Sequence, residues 1–217
     1  MLKAFIHHHQ LNDSFYQNGM DYFIPLAKHI QEQQHAIQAP YFVAVNGCQG
    51  SGKSTMALFL QQYLSDTFHK KVIVMSLDDF YLSAVQRQRL AAKIHPLFAT
   101  RGVPGTHDMA QLQHVLKALK SQKNTYIPQF NKTSDNPYPQ NIWQHITCSF
   151  DIVIFEGWCW GVAAQTSEQL VHPVNELEAE HDPKAIWRKH VNLQLAQYYQ
   201  PLQRQEVRRF QNPHRLE

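Results

Sequence analysis

Residues 47–54, GCQGSGKS, follow the apolar run Tyr41–Val45 and precede an amphipathic segment, Thr55–Leu64. They have the G-x-x-x-x-G-K-S spacing of a phosphate-binding loop, set between a buried strand and a helix. Glycines let the main chain wrap closely round phosphate, so that N–H groups and the positive end of the helix face the anion. Lys53 supplies a mobile charge, and Ser54 offers a hydroxyl to Mg²⁺. The stretch therefore predicts binding of a nucleoside triphosphate with Mg²⁺, in preference to a structural glycine turn.

The predicted phosphate-binding residues belong to this loop and to the first turn of the helix after it. They are Gly47, Cys48, Gln49, Gly50, Ser51, Gly52, Lys53, Ser54 and Thr55. Lys53 is also a predicted catalytic residue, because its charge reaches the outer phosphates.

Length and composition fit a globular α/β protein: 217 residues, 43% hydrophobic, 17% charged, with a net charge of +3. The chain has no basic block that would indicate a nucleic-acid partner and no run near the roughly 20 apolar residues of a membrane span. Its N-terminus lacks the apolar core of a signal peptide. Three cysteines without regular spacing indicate a reducing compartment. We therefore expect a cytoplasmic protein with neither a nucleic-acid nor a membrane partner, and the oligomeric state stays open.

Hydrophobic periodicity predicts strands alternating with helices. Strands are expected at 41–45, 71–77 and 150–155, and helices within 1–39 and at 55–64, 84–93, 108–119 and 179–199. Residues 95–108 are predicted to form a loop and residues 124–143 to be mostly irregular. This order is typical of a doubly wound parallel sheet. We expect one domain over 1–217, with a helical segment at 1–39, a nucleotide-binding core at 40–160 and a helical part at 161–217.

Acidic residues fall where predicted strands end, which is the ligand-binding edge of such a sheet. Asp78 and Asp79 follow the second strand, and Glu156 follows the strand that ends at Phe155. Phosphoryl transfer needs a metal and a carboxylate near the attacking hydroxyl, and Glu156 is placed to hold the metal together with Ser54. Neighbouring side chains on extended backbone face opposite ways, so one aspartate should face the reaction and the other should hold the loop or the metal shell. The alternatives are a helix cap for the aspartates and a solvated turn for Glu156.

Four more strings follow the loop in fixed order: SLDDFYL at 76–82, TRGVPGTHD at 100–108, PQFNK at 128–132 and FEGW at 155–158. Together with the loop they resemble the D-glycerate 3-kinase group of P-loop kinases, which stands beside uridine kinase, phosphoribulokinase and pantothenate kinase. The resemblance implies a P-loop NTPase fold of the nucleoside-kinase type, ATP with Mg²⁺ as the donor, and a small hydroxylated acceptor. D-glycerate is the first choice of acceptor, and uridine or pantothenate are the alternatives.

The resemblance also implies roles for single residues. Asp78 resembles the general base of uridine kinases, with Asp79 as the second choice. Acceptor-binding roles are implied for Asp79, Tyr81, Arg101, His107, Asp108 and Lys132. Arg101 would pair with an anionic acceptor through two parallel hydrogen bonds. The alternatives are that Arg101 and Lys132 are surface charges, and that His107 bonds only its own loop.

The chain departs from the group in two places. Asn131 replaces the aspartate that usually precedes the lysine, and residues 133–137 lack an arginine that the resemblance leads us to expect. After Tyr199 the sequence has no apolar run suited to a further strand or lid, which predicts a shortened C-terminal part. This motivates an alternative of another class, an ATP-binding protein without turnover. A GTPase is disfavoured because residues 131–134 read N-K-T-S and not N-K-x-D.

Overall fold

The computed structural model describes residues 1–147 and 149–202. Its α-helices are α1 (Leu2–His8), α2 (Asp13–Asn18), α3 (Ile24–Ile37), α4 (Lys53–Phe68), α5 (Ala84–Lys93), α6 (Met109–Lys120), α7 (Glu176–His181) and α8 (Ile186–Gln194). Its strands are β1 (Tyr41–Asn46), β2 (Val72–Ser76), β3 (Thr125–Ile127), β4 (Phe130–Asn131), β5 (Asn136–Pro137), β6 (Gln144–Ile146) and β7 (Ile152–Gly157). The predicted shortening after Tyr199 concerns mainly residues 203–217, which lie outside the described residues.

A parallel sheet forms from β1, β7 and β2, with β7 in the centre. Ile152 of β7 is level with Tyr41 of β1 on one side and with Val72 of β2 on the other. Parallel strands are buried on both faces, and accordingly every residue of β7 is buried. The sheet and its flanking helices confirm the predicted α/β fold.

Helices α3 and α4 cover one face of this sheet. Strand residues of alternate positions, such as Val43 and Ile154, pack against Ile30 of α3 and Leu60 of α4. Helix α4 begins at Lys53, within the predicted phosphate-binding stretch, so this packing fixes the loop against the sheet. Burial of such side chains contributes about 1.5–3 kcal/mol each.

The described residues divide into two units. The first unit comprises Met1–Ser76 with residues 149–158, and contains the parallel sheet. The second comprises Leu77–Thr147 with residues 159–202. It holds α5 to α8 and two short antiparallel ladders, β3 with β6 and β4 with β5. The expectation of one domain over the whole chain stays a prediction.

Helices α5 and α6 match their predictions because their ends are set by local signals. Ser83 and Gln86 form a reciprocal capping box at the start of α5. The Asp108 carboxylate accepts a hydrogen bond of 2.9 Å from the Gln111 N–H and so caps α6. The larger apolar residues of α6 are buried: Met109, Leu112, Val115, Leu116 and Leu119.

One secondary-structure prediction was incomplete and another was wrong. Residues 124–143 contain β3, β4 and β5, whose two or three residues are too few to show periodicity and whose pairing is decided by distant partners. The single helix predicted over 179–199 is interrupted between α7 and α8. Pro183 lacks an N–H, and the Asp182 carboxylate accepts from the Trp187 and Arg188 N–H groups, so a new helix starts there.

Among the described residues, we find no helix both long enough and apolar enough to cross a bilayer.

Candidate active site

The loop at residues 47–52 joins β1 to α4 and has the conformation that its glycines permit. Gly50 and Gly52 have positive φ angles of 75° and 82°, which side-chain-bearing residues rarely adopt. A Cβ atom on Gly47 would lie 2.6 Å from Ser51 Oγ, so only glycine fits there without a shift. Gly52 is the N-cap of α4, and because glycine has no side chain it cannot cap the first N–H groups of the helix. The loop therefore presents unshielded main-chain donors at a helix N-terminus.

Two bonds close the loop on the carbonyl of Cys48. The Ser51 N–H donates to it over 3.2 Å, and Lys53 Nζ donates to it over 3.3 Å. Lys53 thus folds back over the loop, where its ammonium can follow a bound anion. Cys48 and Gln49 are exposed, and Thr55 is half-buried in the first turn of α4. The structure brings all the predicted phosphate-binding residues together in one turn and the helix start.

Glu156 lies inside β7, not after the strand as predicted, and is 5% exposed. The parallel register places it level with Val45, next to the start of the phosphate loop. Ser54 Oγ donates a hydrogen bond of 2.9 Å to Glu156 Oε1. The other carboxylate oxygen, Oε2, is buried and has no hydrogen-bond partner among the described residues. Strand β7 therefore buries a carboxylate that receives only part of the hydrogen bonding that a buried charge needs.

This oxygen pair fits Mg²⁺, which prefers oxygen ligands and usually keeps waters and substrate phosphates beside one or two protein groups. The described residues hold no cluster of three or more His, Cys, Asp or Glu side chains that would bind a metal alone. Ser54 and Glu156 would then hold only part of the coordination shell. Magnesium bound there would neutralise charge that develops on the transferred phosphate.

In the second unit, the residues after β2 form a 3₁₀ turn, Leu77–Phe80, and not extended backbone. The two aspartates in this turn nevertheless have different partners. Asp78 Oδ2 accepts a hydrogen bond of 2.7 Å from Lys132 Nζ. Asp79 Oδ1 accepts from the main-chain N–H of Phe130 over 3.1 Å and so holds the β4 segment. Neither carboxylate caps the following helix, which is capped by Ser83.

Tyr81 and His107 face each other because residues 80–82 pair with residues 106–108 in an antiparallel bridge. Their rings stack with centroids 4.3 Å apart. Burial, and then the neighbouring Asp78 carboxylate, raise the pKa of Tyr81 well above its usual value. The Tyr81 hydroxyl therefore stays protonated, and it donates to the Asp78 carboxylate. Asp78 thus receives hydrogen bonds from both Lys132 and Tyr81.

His107 is 4% exposed and bonds more than its own loop. Its Nδ1 shares a hydrogen bond of 2.6 Å with the Tyr199 hydroxyl, whereas Nε2 is buried without a hydrogen-bond partner among the described residues. Burial lowers the pKa of His107 from its usual 6.5 to about 3, although Asp78 acts in the opposite direction. The imidazole is therefore neutral at physiological pH.

Arg101 and Lys132 have anionic partners in the structure. Lys132 pairs with Asp78, and 61% of its side chain is exposed. The Arg101 guanidinium donates to Asp135 Oδ1 and lies 5.7 Å from the centroid of the Phe130 ring. Asn131, where the resemblance leads us to expect aspartate, accepts hydrogen bonds from the main-chain N–H groups of Thr133 and Ser134. Asn131 therefore stabilises a turn, and Lys132 is oriented by Asp78 instead.

Direct contacts and the shared neighbour Phe130, whose ring also lies 5.5 Å from that of Tyr81, connect the predicted base Asp78 with five of the predicted acceptor-binding residues within the second unit: Asp79, Tyr81, Arg101, His107 and Lys132. Asp108 uses a carboxylate oxygen as the cap of α6, and its predicted acceptor-binding role stays a prediction. Sequence reasoning missed three residues of this cluster: Arg87, Asp135 and Tyr199. None of the three belongs to a sequence motif. Arg87 and its partner Asp135 are revealed by the burial of Arg87, and Tyr199 is revealed by its hydrogen bond with His107.

Comparison with known proteins gives a consistent family. A model of the Phosphoribulokinase / Uridine kinase family matches residues 42–188. The chain is 32% identical over 187 residues to the uncharacterized kinase mug58 of Schizosaccharomyces pombe, which covers 82% of this chain and 66% of that protein. It is 29% identical over 170 residues to the chloroplastic D-glycerate 3-kinase of Arabidopsis thaliana, covering 70% of this chain and 36% of that protein.

The solved structure of a D-glycerate 3-kinase from Cryptococcus neoformans var. grubii superposes with a TM-score of 0.70 at 25% identity. The match covers 82% of this chain and 68% of that one. The chain thus spans less than two thirds of the length of the two curated relatives above.

Proposed function

Since the chain belongs to the phosphoribulokinase and uridine kinase family, we propose that it transfers phosphate from ATP to a hydroxyl of a small metabolite, with D-glycerate as the preferred acceptor. The observation that carries the kinase proposal is the Ser54–Glu156 hydrogen bond of 2.9 Å, which joins a strand carboxylate to a phosphate-binding loop. A structural glycine turn would not need a buried acid with an uncompensated oxygen beside it.

On the donor side, the main-chain N–H groups of residues 47–54 would bind the phosphates of ATP, helped by the N-terminus of α4. Lys53 would leave the Cys48 carbonyl and follow the outer phosphates, since a 3.3 Å bond to a neutral carbonyl is weaker than one to phosphate. Ser54 and Glu156 would hold Mg²⁺ through their oxygens. These residues supply alignment and charge, which phosphoryl transfer chiefly requires.

On the acceptor side, Asp78 would receive the proton of the attacking hydroxyl as general base. Lys132 and Tyr81 donate to this carboxylate and so fix its orientation before the acceptor arrives. Asp79 would act indirectly, because it is bonded to the main chain of Phe130. His107 is neutral, so it would contact the acceptor as a hydrogen-bonding group and not as a cation.

An acidic acceptor is favoured by the cations of this cluster. Lys132 forms a direct ion pair with Asp78. Arg101 lies over the ring of Phe130, whose main-chain N–H is bonded to the neighbouring Asp79. An arginine can bind a carboxylate through two parallel hydrogen bonds. The names of the Arabidopsis and Cryptococcus relatives support D-glycerate over other acids. We also propose the cytoplasm as the location, on the basis of the sparse cysteines.

The test is a panel of acceptors incubated with the purified chain, labelled ATP and Mg²⁺. We expect transfer to D-glycerate to exceed transfer to pantothenate and uridine at equal concentrations. Transfer mainly to pantothenate or uridine would leave the kinase assignment standing and remove the glycerate preference. Tight MgATP binding with no transfer to any acceptor would contradict the kinase proposal and favour the nucleotide-binding alternative.

A further inference from the structure

The Asp135 carboxylate lies between two guanidinium groups of the second unit. Its Oδ1 accepts from Nη1 of Arg101, and its Oδ2 accepts from Nη2 of Arg87. The three side chains differ strongly in exposure: 0% for Arg87, 41% for Asp135 and 32% for Arg101. The cluster therefore joins a fully buried cation to two partly exposed groups, the shared anion and a second cation.

Arg87 has no use in the proposed reaction, but its placement is costly. Apart from Asp135, the partners that the described part of the chain gives its guanidinium are main-chain carbonyls: Nε donates to Ala99 over 3.2 Å and Nη1 donates to Leu82. Carbonyls satisfy the N–H groups without neutralising the charge. A buried guanidinium requires an anion, and Asp135 is the acidic partner that the described contacts give it.

The charges of this cluster leave an excess of one positive unit. Two arginines and one aspartate sum to +1, whereas Arg101 and Asp135 alone would sum to zero. With Arg87 present, Asp135 is already compensated from the buried side. Arg101, which is partly exposed, then keeps an unneutralised positive charge while it remains bonded to Asp135 and placed over Phe130.

We infer that Arg87 is a specificity-determining positioning residue: acting through Asp135, it keeps Arg101 attractive to an anionic acceptor. This inference rests on the proposed function, because it assumes that Arg101 contacts the acceptor. The backbone of Asp135 agrees with a constrained role, since its φ of 55° is unusual for a residue other than glycine. Such a conformation persists where surrounding bonds impose it.

The experiment compares kcat/KM for D-glycerate with kcat/KM for its neutral amide, and uses their ratio as the readout. In Arg87→Met the unbalanced Asp135 should neutralise Arg101, and the ratio should fall about tenfold or more, since one charge-assisted contact is lost. KM for ATP should stay within about twofold. Arg89→Met, an exposed arginine two positions along α5, is the matched control and should keep the wild-type ratio.

Combining Arg87→Met with Asp135→Asn restores the excess of +1, and the ratio should return to within about threefold of wild type. If Arg87 served packing alone, the ratio would not respond to charge. The double variant would lose further bonds, and kcat/KM would fall equally for D-glycerate and for its amide. An unchanged ratio in Arg87→Met, or no recovery in the double variant, overturns the inference.

If Arg87→Met does not fold, Arg87→Gln decides, because its amide can still donate to the Leu82 carbonyl while the charge is removed. The ratio should then fall about tenfold, and an equal or higher ratio overturns the inference. Wild-type transfer to D-glycerate with an insensitive ratio removes this inference only. Failure of the wild type to phosphorylate any acidic acceptor removes the glycerate preference and the inference with it, and failure with every acceptor removes the kinase proposal as well.

Discussion

The Lys132 ammonium lies 2.7 Å from Asp78 Oδ2, so two residues 54 positions apart in the chain form an ion pair. Lys132 restrains the carboxylate that we propose as general base. Tyr81 bonds the same group, which fixes its direction further.

Asp78→Asn should leave ATP affinity unchanged and lower kcat by about 10²–10⁴-fold, because asparagine has the same shape but cannot accept the proton. The measurement is a steady-state assay with D-glycerate, alongside calorimetric titration with MgATP. Asp66→Asn, at an exposed position of α4, is the control and should behave as wild type. An unchanged kcat in Asp78→Asn would transfer the role to Asp79 or remove the need for a base.

Lys53→Ala should abolish detectable ATP binding while the thermal unfolding midpoint stays close to wild type. Lysine is needed here for its charge, and its one bond within the loop is a long one to the Cys48 carbonyl. Calorimetric titration and circular dichroism measure the two quantities on one sample. Lys28→Ala, an exposed lysine of α3, should retain affinity. ATP affinity near wild type in Lys53→Ala would refute our placement of the phosphates.

Glu156→Gln should raise the Mg²⁺ concentration for half-maximal rate by about 10–100-fold, a range typical of groups that support a bound metal. The amide is nearly isosteric and its oxygen can still accept from Ser54, so the fold should persist. A Mg²⁺ titration of the rate at saturating ATP checks this. Glu32→Gln on the exposed face of α3 serves as the comparison. Equal Mg²⁺ requirements in both variants would exclude Glu156 as a metal-binding group.

The burial of His107 makes stability depend on pH. Its folded pKa of about 3 lies below the usual 6.5, so the unfolded chain binds one more proton between these values. The stability that the neutral His107 contributes is fully present above the unfolded pKa of 6.5 and is lost as the pH falls below it. His107→Gln should therefore flatten the slope of unfolding free energy between about pH 6.5 and 5 by up to ~1.4 kcal/mol per pH unit. His114→Gln, exposed on α6, should leave the slope unchanged in urea titrations.

Leu60→Ala should lower the free energy of unfolding by about 2–5 kcal/mol, because a fully buried leucine of α4 leaves a cavity against the sheet. Leu58→Ala, in the same helix but 42% exposed, should change it by about 0.5 kcal/mol or less. Urea denaturation gives both values. Similar losses in the two variants would contradict the packing of α4 described above.

Features encoded by neighbouring residues were predictable from the sequence. The phosphate loop and the ends of α5 depend on spacings of a few residues, and both lie where the pattern placed them. The helices within residues 1–39 were likewise predicted, but their spacing did not show that Tyr22 is 61% exposed. In the same way, Ile186 of α8 and Tyr198 of the turn after it are 46% and 37% exposed. Periodicity identifies a helix more surely than it identifies which side is covered.

Features that depend on distant partners were not predictable. Strand β4 pairs with β5 across a short turn, and neither two-residue strand has a pattern of its own. Glu156 was expected beyond the strand because the apolar run ends at Phe155, and only its pairing with Ser54 accounts for an acid within a buried strand. The burial of Arg87 within a polar helix depends on Asp135, 48 positions later.

The hydrogen bond between Ser54 and Glu156 spans 102 positions of the chain, so these two oxygens meet only after β1 and β7 have paired. A nucleotide whose binding needs both groups has affinity for the native state and no comparable affinity for the unfolded chain. At a concentration 100 times its dissociation constant, such a ligand adds about 2.7 kcal/mol to the free energy of unfolding. The energy charge of the cell would then govern how long this polypeptide survives proteolysis, as well as how fast it works.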